Sequence, residues 1–277
     1  MAKGNRSADG KLAARLRLTP GRNVSLDDID AGDVHGWDKD AAQKELDKNI
    51  ARMFDLQYVM HAQGKHSVLV LLQAMDAGGK DGCIRSTMRG LNPQGVRVTS
   101  FKAPNTVELS HDFLWRVHRV APAAGEIGIF NRSHYEDVLI ARVRKLVPKS
   151  VWTQRYQQIN DFERMLTENN TVILKIFLHI SKDEQKQRLE DRLKDPTKHW
   201  KARPEDFTER VYWNDYMEAY EDVFQRTGID AAPWFVVPAN RKWFRNLAVS
   251  EIIVDALKSL KLRLPRSSFD LSSAVIE

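Results

Sequence analysis

The sequence predicts an α/β protein with a parallel sheet covered by helices on both faces, and three observations carry that expectation. Compact runs rich in β-formers alternate with segments of helical spacing along most of the chain. The longest β-type runs are apolar nearly throughout, as strands buried on both faces are. The first of them, Ser67 to Gln73, leads into a Gly-rich turn and then a helix-patterned segment, so strand, loop and helix follow in the order of an α/β unit. A chain of 277 residues can bury one large core of this kind. The expected layout is a basic then acidic, partly ordered N-terminal arm over residues 1–39, a single domain over 40–265, and a C-terminal tail over 266–277.

In the arm, Lys3, Arg6, Lys11, Arg15, Arg17 and Arg22 stand against the lone acid Asp9, and Asp27, Asp28, Asp30, Asp33, Asp38 and Asp40 then reverse the sign. From Asp40 to Gln63, Leu46, Ile50, Met53, Leu56 and Met60 recur at helix spacing and give one buried face. After the Gly-rich turn, further strands are expected at Gly95–Phe101, Glu126–Phe130, Thr171–Ile180 and Pro233–Val237. Between them, Ser110 precedes a helical segment carrying Phe113, Leu114 and Val117. A helix from Val151 buries Trp152, Tyr156, Ile159, Phe162 and Leu166. Ser181-Lys182-Asp183-Glu184 reads as a capping box opening a charged helix that Asp195-Pro196 stops. Another helix, from Glu205, carries Phe207, Val211, Tyr216, Tyr220 and Val223 as core positions.

The Gly-rich turn is Asp76-Ala77-Gly78-Gly79-Lys80-Asp81-Gly82. A loop of this kind points backbone N–H groups and a helix N-terminus at one spot, and Lys80 adds a full positive charge, so its natural guest is a phosphate chain. The common phosphate-loop pattern is Gly, four residues, Gly-Lys and then Ser or Thr. Here Ala74 replaces the first Gly and Asp81 the hydroxyl residue that ordinarily holds Mg²⁺, so Asp76 or another carboxylate must help hold a metal.

A parallel sheet gathers its functional loops at the carboxyl ends of its strands. The strand ending at Phe130 therefore brings Asn131-Arg132-Ser133-His134-Tyr135-Glu136-Asp137 to the same edge as the Gly-rich turn. Asn131 stands where an Asp would often sit near the metal, leaving part of that work to Glu136 or Asp137. Arg132 offers a guanidinium fork to a transferring phosphoryl group. Past it, Arg142, Arg144, Lys145 and Lys149 form a basic cluster that is either a track for a long anion or a solvated helix end. The segment 182–210, rich in cations and broken by Pro196 and Pro204, has the composition of a lid that excludes water.

The formal charge of +6 suits a polyanion, whether nucleic acid, phosphate polymer, nucleotide or acidic membrane surface. The single cysteine, Cys83, rules out an intrachain disulfide framework and fits a reducing compartment; it reads as a small space-filling residue. The eight histidines show no spaced metal-ligand set. No run reaches the roughly 18 apolar residues of a membrane helix, and the N-terminus lacks a signal peptide's hydrophobic stretch, so a cytoplasmic protein is expected.

Taken together, LLQAMDAGGKDGCIRSTMRGLNPQGVRVTSFKAP, LSHDFLWRVHRVAP, IGIFNRSHYEDVLIARV, ILKIFLHISKDEQKQRL, DPTKHWK and APWFVVPANRKW resemble the polyphosphate kinase 2 family, from about Leu46 to Leu262. The resemblance implies a three-layer αβα, thymidylate-kinase-like P-loop kinase fold with a helical lid. It also implies dependence on Mg²⁺, with Mn²⁺ as a substitute, and reversible phosphoryl transfer between inorganic polyphosphate and adenine or guanine nucleotides. Asp76 resembles the family's loop carboxylate near the metal, Lys80 the loop lysine and Arg132 the arginine after the second strand motif. Arg192 resembles the lid arginine. Residues Ala77, Gly78, Gly79, Lys80, Asp81 and Gly82 would hold the polyphosphate, with Arg142, Arg144, Lys145 and Lys149 beyond them. Asn131, Arg132, Glu136 and Arg192 would meet the nucleotide. Glu136, a second candidate for the metal, stands where many members have Asn, and the wording around it resembles the subgroup that accepts both mono- and diphosphates. Family members are often homo-oligomers, tetramers or dimers. Two rivals remain: an ATP-dependent nucleoside monophosphate kinase of the same fold, and a nucleic-acid-binding protein favoured by charge alone.

Overall fold

The computed structural model describes residues 12–269. Five strands, β1 (Ser67–Gln73), β2 (Val96–Ser100), β3 (Ile127–Asn131), β4 (Thr171–His179) and β5 (Trp234–Pro238), form one sheet in the order β2-β3-β1-β4-β5. Every pairing is parallel. All seven residues of β1 are buried, which explains why its sequence is a continuous apolar run rather than an alternating one. Expected and observed strand ends differ by one residue in places: β3, for example, extends through Asn131, which pairs with Leu72 of β1.

Among the described residues, six helices reach eight residues or more. They are α1 (Lys39–Gln63), α2 (Lys80–Thr87), α3 (Lys149–Glu168), α4 (Lys182–Lys194), α5 (Trp213–Thr227) and α6 (Lys242–Ser259). Asp38 opens α1 by accepting a bond from Ala41 N, and Gly64, at φ 59°, closes it in the left-handed region that glycine tolerates. Asn49, buried on α1, donates to Ser250 Oγ and Glu251 Oε1, tying α1 to α6. These elements make the three-layer α/β architecture that the alternating pattern predicts.

Two local expectations are corrected, and the described part of the arm finds its place on the sheet. Ser181 caps α4 through Glu184 N, but the reciprocal half of the capping box is absent because the Glu184 carboxylate instead accepts from Arg188 Nε. The helix expected from Glu205 is broken: Pro204–Thr208 and a 3₁₀ turn, Glu209–Tyr212, precede α5, and Val211 is exposed instead of core. The arm from Leu12 onward is docked on the sheet. Leu16 and Leu26 are buried, Arg17 forms an antiparallel bridge with Phe235, and Leu18 N donates to Trp234 O. The basic residues Lys3, Arg6 and Lys11, and the tail beyond Phe269, lie outside the described residues.

A charged cluster sits at the centre of the core. Lys175, in the middle of β4, is fully buried, and its Nζ donates to Glu163 Oε2 of α3 at 2.6 Å and to Thr227 O of α5 at 2.5 Å. Glu163 Oε1 also accepts from Tyr135 OH at 2.8 Å and lies 3.3 Å from His134 Nε2. Burial opposes the Glu163 charge, but Lys175 and His134 hold its carboxyl below the usual range. The cluster thereby fastens the turn after β3 to the sheet and to α3. Removing one partner of such a pair leaves the other charge buried and uncompensated. Lys175→Met is therefore expected to destabilise the protein by about 3–5 kcal/mol in urea unfolding; a loss under about 1 kcal/mol would place the pair outside the determinants of stability.

Candidate active site

The Gly-rich loop runs from the end of β1 to the start of α2, as its sequence predicts, and its geometry follows from where its carbonyls point. Ala74 O accepts from Lys80 Nζ at 2.9 Å, and Met75 O accepts from Gly78 N. Asp76 O accepts from Gln185 Nε2 and Ala77 O from Arg188 Nη1, both at 3.0 Å and both from α4. Gly79 O accepts from Cys83 N and, at 3.1 Å, from Arg245 Nη1 of α6. With these oxygens held by the protein, the first amides of α2, which lack intrahelical acceptors, remain for an anion. Ala77 (φ 58°) and Gly79 (φ 94°) supply the left-handed turns. A Cβ at Gly78 would stand 2.5 Å from Ala74 Cβ, so the loop closes tightly on the residue that replaces the usual first glycine.

The tip of β3 lies beside this loop because β3 is β1's neighbour in the sheet. Arg132 N donates to Leu72 O, and the residue takes a left-handed φ of 62°, uncommon for a non-glycine and typical of functional turns. Arg132 Nη2 lies 3.1 Å from Asp76 Oδ1, and Asn131 Nδ2 donates to Asp81 Oδ1 at 2.8 Å. Lys80, Arg132, Asp76, Asp81 and Asn131 are thus gathered in one place, with Glu136 within electrostatic reach of Lys80, Arg132 and Asp76.

The charges oppose one another. Burial and the neighbouring Arg132 pull the Lys80 ammonium down to about 8, against the pull of Asp76, Glu136 and Asp81. Burial pushes Glu136 up despite Arg132 and Lys80, and Asp76 adds to that rise. Arg132 is raised, Glu136 and Asp76 outweighing its burial. A divalent cation fits this donor set. Asp76 and Glu136 offer two carboxylates whose mutual repulsion a cation relieves, and Mg²⁺ characteristically takes one or two carboxylates with substrate phosphates completing its octahedron. Among the described residues no group of three or more His, Cys, Asp and Glu side chains forms a protein-only metal cage.

The other site residues expected from the sequence are placed differently. Arg192 Nη1 pairs with Asp206 at 2.6 Å within the 182–210 segment. The arginine of α4 that touches the loop is Arg188. Arg142 pairs with Glu218 and Asp222 and lies over the Trp152 ring, while Arg144 pairs with Glu209. Acids on α5 and just before it therefore neutralise half of the expected basic track; Lys145 and Lys149 are exposed. Cys83 is fully buried and its thiol is pushed up to about 11, in keeping with a space-filling residue. Sequence reasoning missed Gln185, Arg188 and Arg245. Gln185 and Arg188 stand three apart on α4, a spacing that shares one helix face, but only the fold shows what that face meets.

The sequence profile of the family described as Polyphosphate kinase 2 matches residues 36–265. This chain belongs to the polyphosphate kinase 2 family. A protein of Meiothermus ruber named AMP/ADP-polyphosphate phosphotransferase is 49% identical over 265 residues, spanning 95% of this chain and 99% of that one. A Rhodopseudomonas palustris protein named ADP-polyphosphate phosphotransferase is 46% identical over 235 residues, covering 80% of this chain and 81% of its own length. The crystal structure of polyphosphate kinase 2 from Arthrobacter aurescens TC1 superposes with a TM-score of 0.92 at 44% identity, covering 95% of both chains. The P-loop kinase fold and family that the motifs resemble are therefore those of this chain. No helix among the described residues is long and apolar enough to cross a membrane.

Lys80 links the family's loop to a measurable pH effect. Its ammonium titrates at about 8 when folded against a reference of 10.5, so the unfolded chain binds more protons between those values. The folded state is penalised below about pH 8, and stability rises with pH through that window. Relative to Lys80→Met, the unfolding free energy is expected to climb by up to roughly 3 kcal/mol between pH 8 and 10.5, read from denaturant unfolding at several pH values. A constant difference would mean that Lys80 titrates as a solvated lysine does.

Proposed function

We propose that this enzyme moves the terminal phosphoryl group of inorganic polyphosphate to AMP and ADP, reversibly, by direct in-line transfer. The observation that carries the reading is the meeting of Lys80 and Arg132 around Asp76 at adjoining strand tips. The names of the Meiothermus and Rhodopseudomonas relatives support the substrate class. A phosphate oxygen of the nucleotide attacks the terminal phosphorus, the anhydride bond to the next phosphate breaks, and the polymer leaves one unit shorter. The loop amides from Ala77 to Gly82 and Lys80 hold the donor phosphates, while Arg132 neutralises charge on the equatorial oxygens. Mg²⁺, or Mn²⁺ in its place, held by Asp76 with Glu136, would supply further neutralisation across the phosphates in transfer. Segment 182–210, with Arg192 in it, serves as the lid that excludes water. The proposal extends to a cytoplasmic homo-oligomer, dimer or tetramer, whose mass light scattering measures.

Glu136 shapes acceptor choice. Its carboxylate, beside Arg132 in a half-buried site, opposes an acceptor that brings an additional phosphate and so favours the monophosphate in comparison.

Purified protein given AMP, polyphosphate and Mg²⁺, with no nucleoside triphosphate, is expected to form ADP and then ATP by chromatography. Strict need for ATP as donor would instead support a nucleoside monophosphate kinase. Lys80→Ala and Arg132→Ala should each lower turnover roughly 10²- to 10³-fold; near-native turnover removes that residue from the mechanism. Glu136→Asn is expected to shift the AMP-to-ADP ratio of kcat/KM toward ADP, and an unchanged ratio would defeat the assignment.

A further inference from the structure

Arg245 lies beneath the loop, on α6, and is 3% exposed. Its Nη1 donates to Gly79 O at 3.1 Å, and its Nε and Nη2 donate to Asn246 Oδ1 at 3.0 and 2.7 Å. A Cβ at Gly79 would stand 2.2 Å from Arg245 Nη1 and one at Gly82 3.6 Å from Nη2, so the guanidinium fills the space under the start of α2.

A charge removed from water is costly unless it is hydrogen-bonded and matched by a counter-charge. The oxygens that accept from Arg245 are neutral ones, from a peptide and an amide. Among the described residues no carboxylate lies within ion-pair distance of it. The Cys83 thiol acts on it most and hydrogen-bonds with it, but with its pKa pushed up to about 11 that thiol is neutral near pH 7 and supplies no counter-charge; next comes another arginine, Arg188, which is itself balanced by Glu184 at 2.7 Å. Burial pulls the Arg245 guanidinium below its ordinary range against the opposing pull of Cys83, and Arg188 adds to the lowering. One layer of backbone separates this unmatched cation from the loop amides.

We propose that Arg245 is a positioning residue of the phosphoryl-donor site: it fixes the Gly79 carbonyl so that the loop amides face outward, and the bound polyphosphate is its counter-ion. The proposal rests on the reading that polyphosphate binds at the loop. Free enzyme carries an uncompensated buried charge, and occupancy by a phosphate chain relieves it. Donor affinity therefore depends on Arg245 far more than acceptor affinity does.

The test uses the full chain and its Arg245→Met and Arg245→Lys variants, with tripolyphosphate binding followed by calorimetry and steady-state kinetics in polyphosphate and AMP separately. Arg245→Met is expected to weaken tripolyphosphate and raise the polyphosphate KM about 10- to 100-fold, the usual range for losing a group that orients a direct ligand. The AMP KM should stay within about twofold. Arg245→Lys keeps the charge and recovers most of the affinity, but recovers kcat less, because a point donor cannot span Gly79 O and Asn246 Oδ1 together. Native-like tripolyphosphate binding by Arg245→Met overturns the proposal. So does equal weakness of the lysine variant, or a parallel rise in both KM values, which a merely structural role would give. Should Arg245→Met not fold, Arg245→Gln is measured in the same way, and failure of both to fold assigns the residue to the fold alone. If the unaltered protein binds no tripolyphosphate, the donor-site reading itself falls and this proposal with it.

Discussion

The site depends on how the loop after β1 disposes of its carbonyl oxygens. A backbone that packs this tightly must satisfy every buried oxygen or lose much of the stability it gains. Here Lys80, Gln185, Arg188 and Arg245, together with the amides of Gly78 and Cys83, take the oxygens of Ala74, Met75, Asp76, Ala77 and Gly79. Because the acceptors are drawn inward, donors are what the loop offers outward. The proposed anion site is then a consequence of hydrogen-bond accounting in the free protein, and the positive end of α2 adds to it.

The same accounting explains why the loop cannot be separated from the rest of the fold. Its satisfying side chains arrive from α4 and α6, which follow β4 and β5, the strands on one side of β1. Arg188 also donates to Ala239 O and Asn240 O just beyond β5, so a single guanidinium joins the loop to the far end of the sheet. On the other side, β3 delivers Arg132 and Asn131, and the buried Lys175–Glu163 pair anchors the turn that carries them. Cations thus converge on β1's tip from both flanks, with carboxylates between them that keep the local charge from growing too large.

That balance has a chemical use. Phosphoryl transfer asks little covalent work of a protein and much electrostatic arrangement. A lysine pulled down to about 8 is still largely protonated near neutral pH but held at a cost. On the proposed reading, a phosphate chain at the loop would relieve this cost and the burden of the unmatched guanidinium below, in a site already shaped for it.

Sequence alone determined the elements and the loop, because each rests on local rules. Continuous apolar runs mark buried parallel strands, helical spacing marks α1 and α3, and Gly78-Gly79-Lys80 after a strand marks a phosphate loop. The motif wording carried the family. Asp76, Lys80 and Arg132 were legible for the same reason: strand-end residues of a parallel sheet share an edge whatever the details of packing. Tertiary structure alone decided which arginines meet the loop. Arg188 and Arg192 are both cations on one charged helix, and the helix's rotation, fixed by its packing, sends the first to Ala77 O and the second to Asp206. Arg142 and Arg144 read from the sequence as either a track or a solvated helix end, and only the packing of α5 and the turn before it brings Glu218, Asp222 and Glu209 against them. Arg245 lies more than 160 positions from Gly79 in sequence, and only the docking of α6 makes them partners. Local pattern specifies what a segment is; a charge's partner depends on where distant segments come to rest.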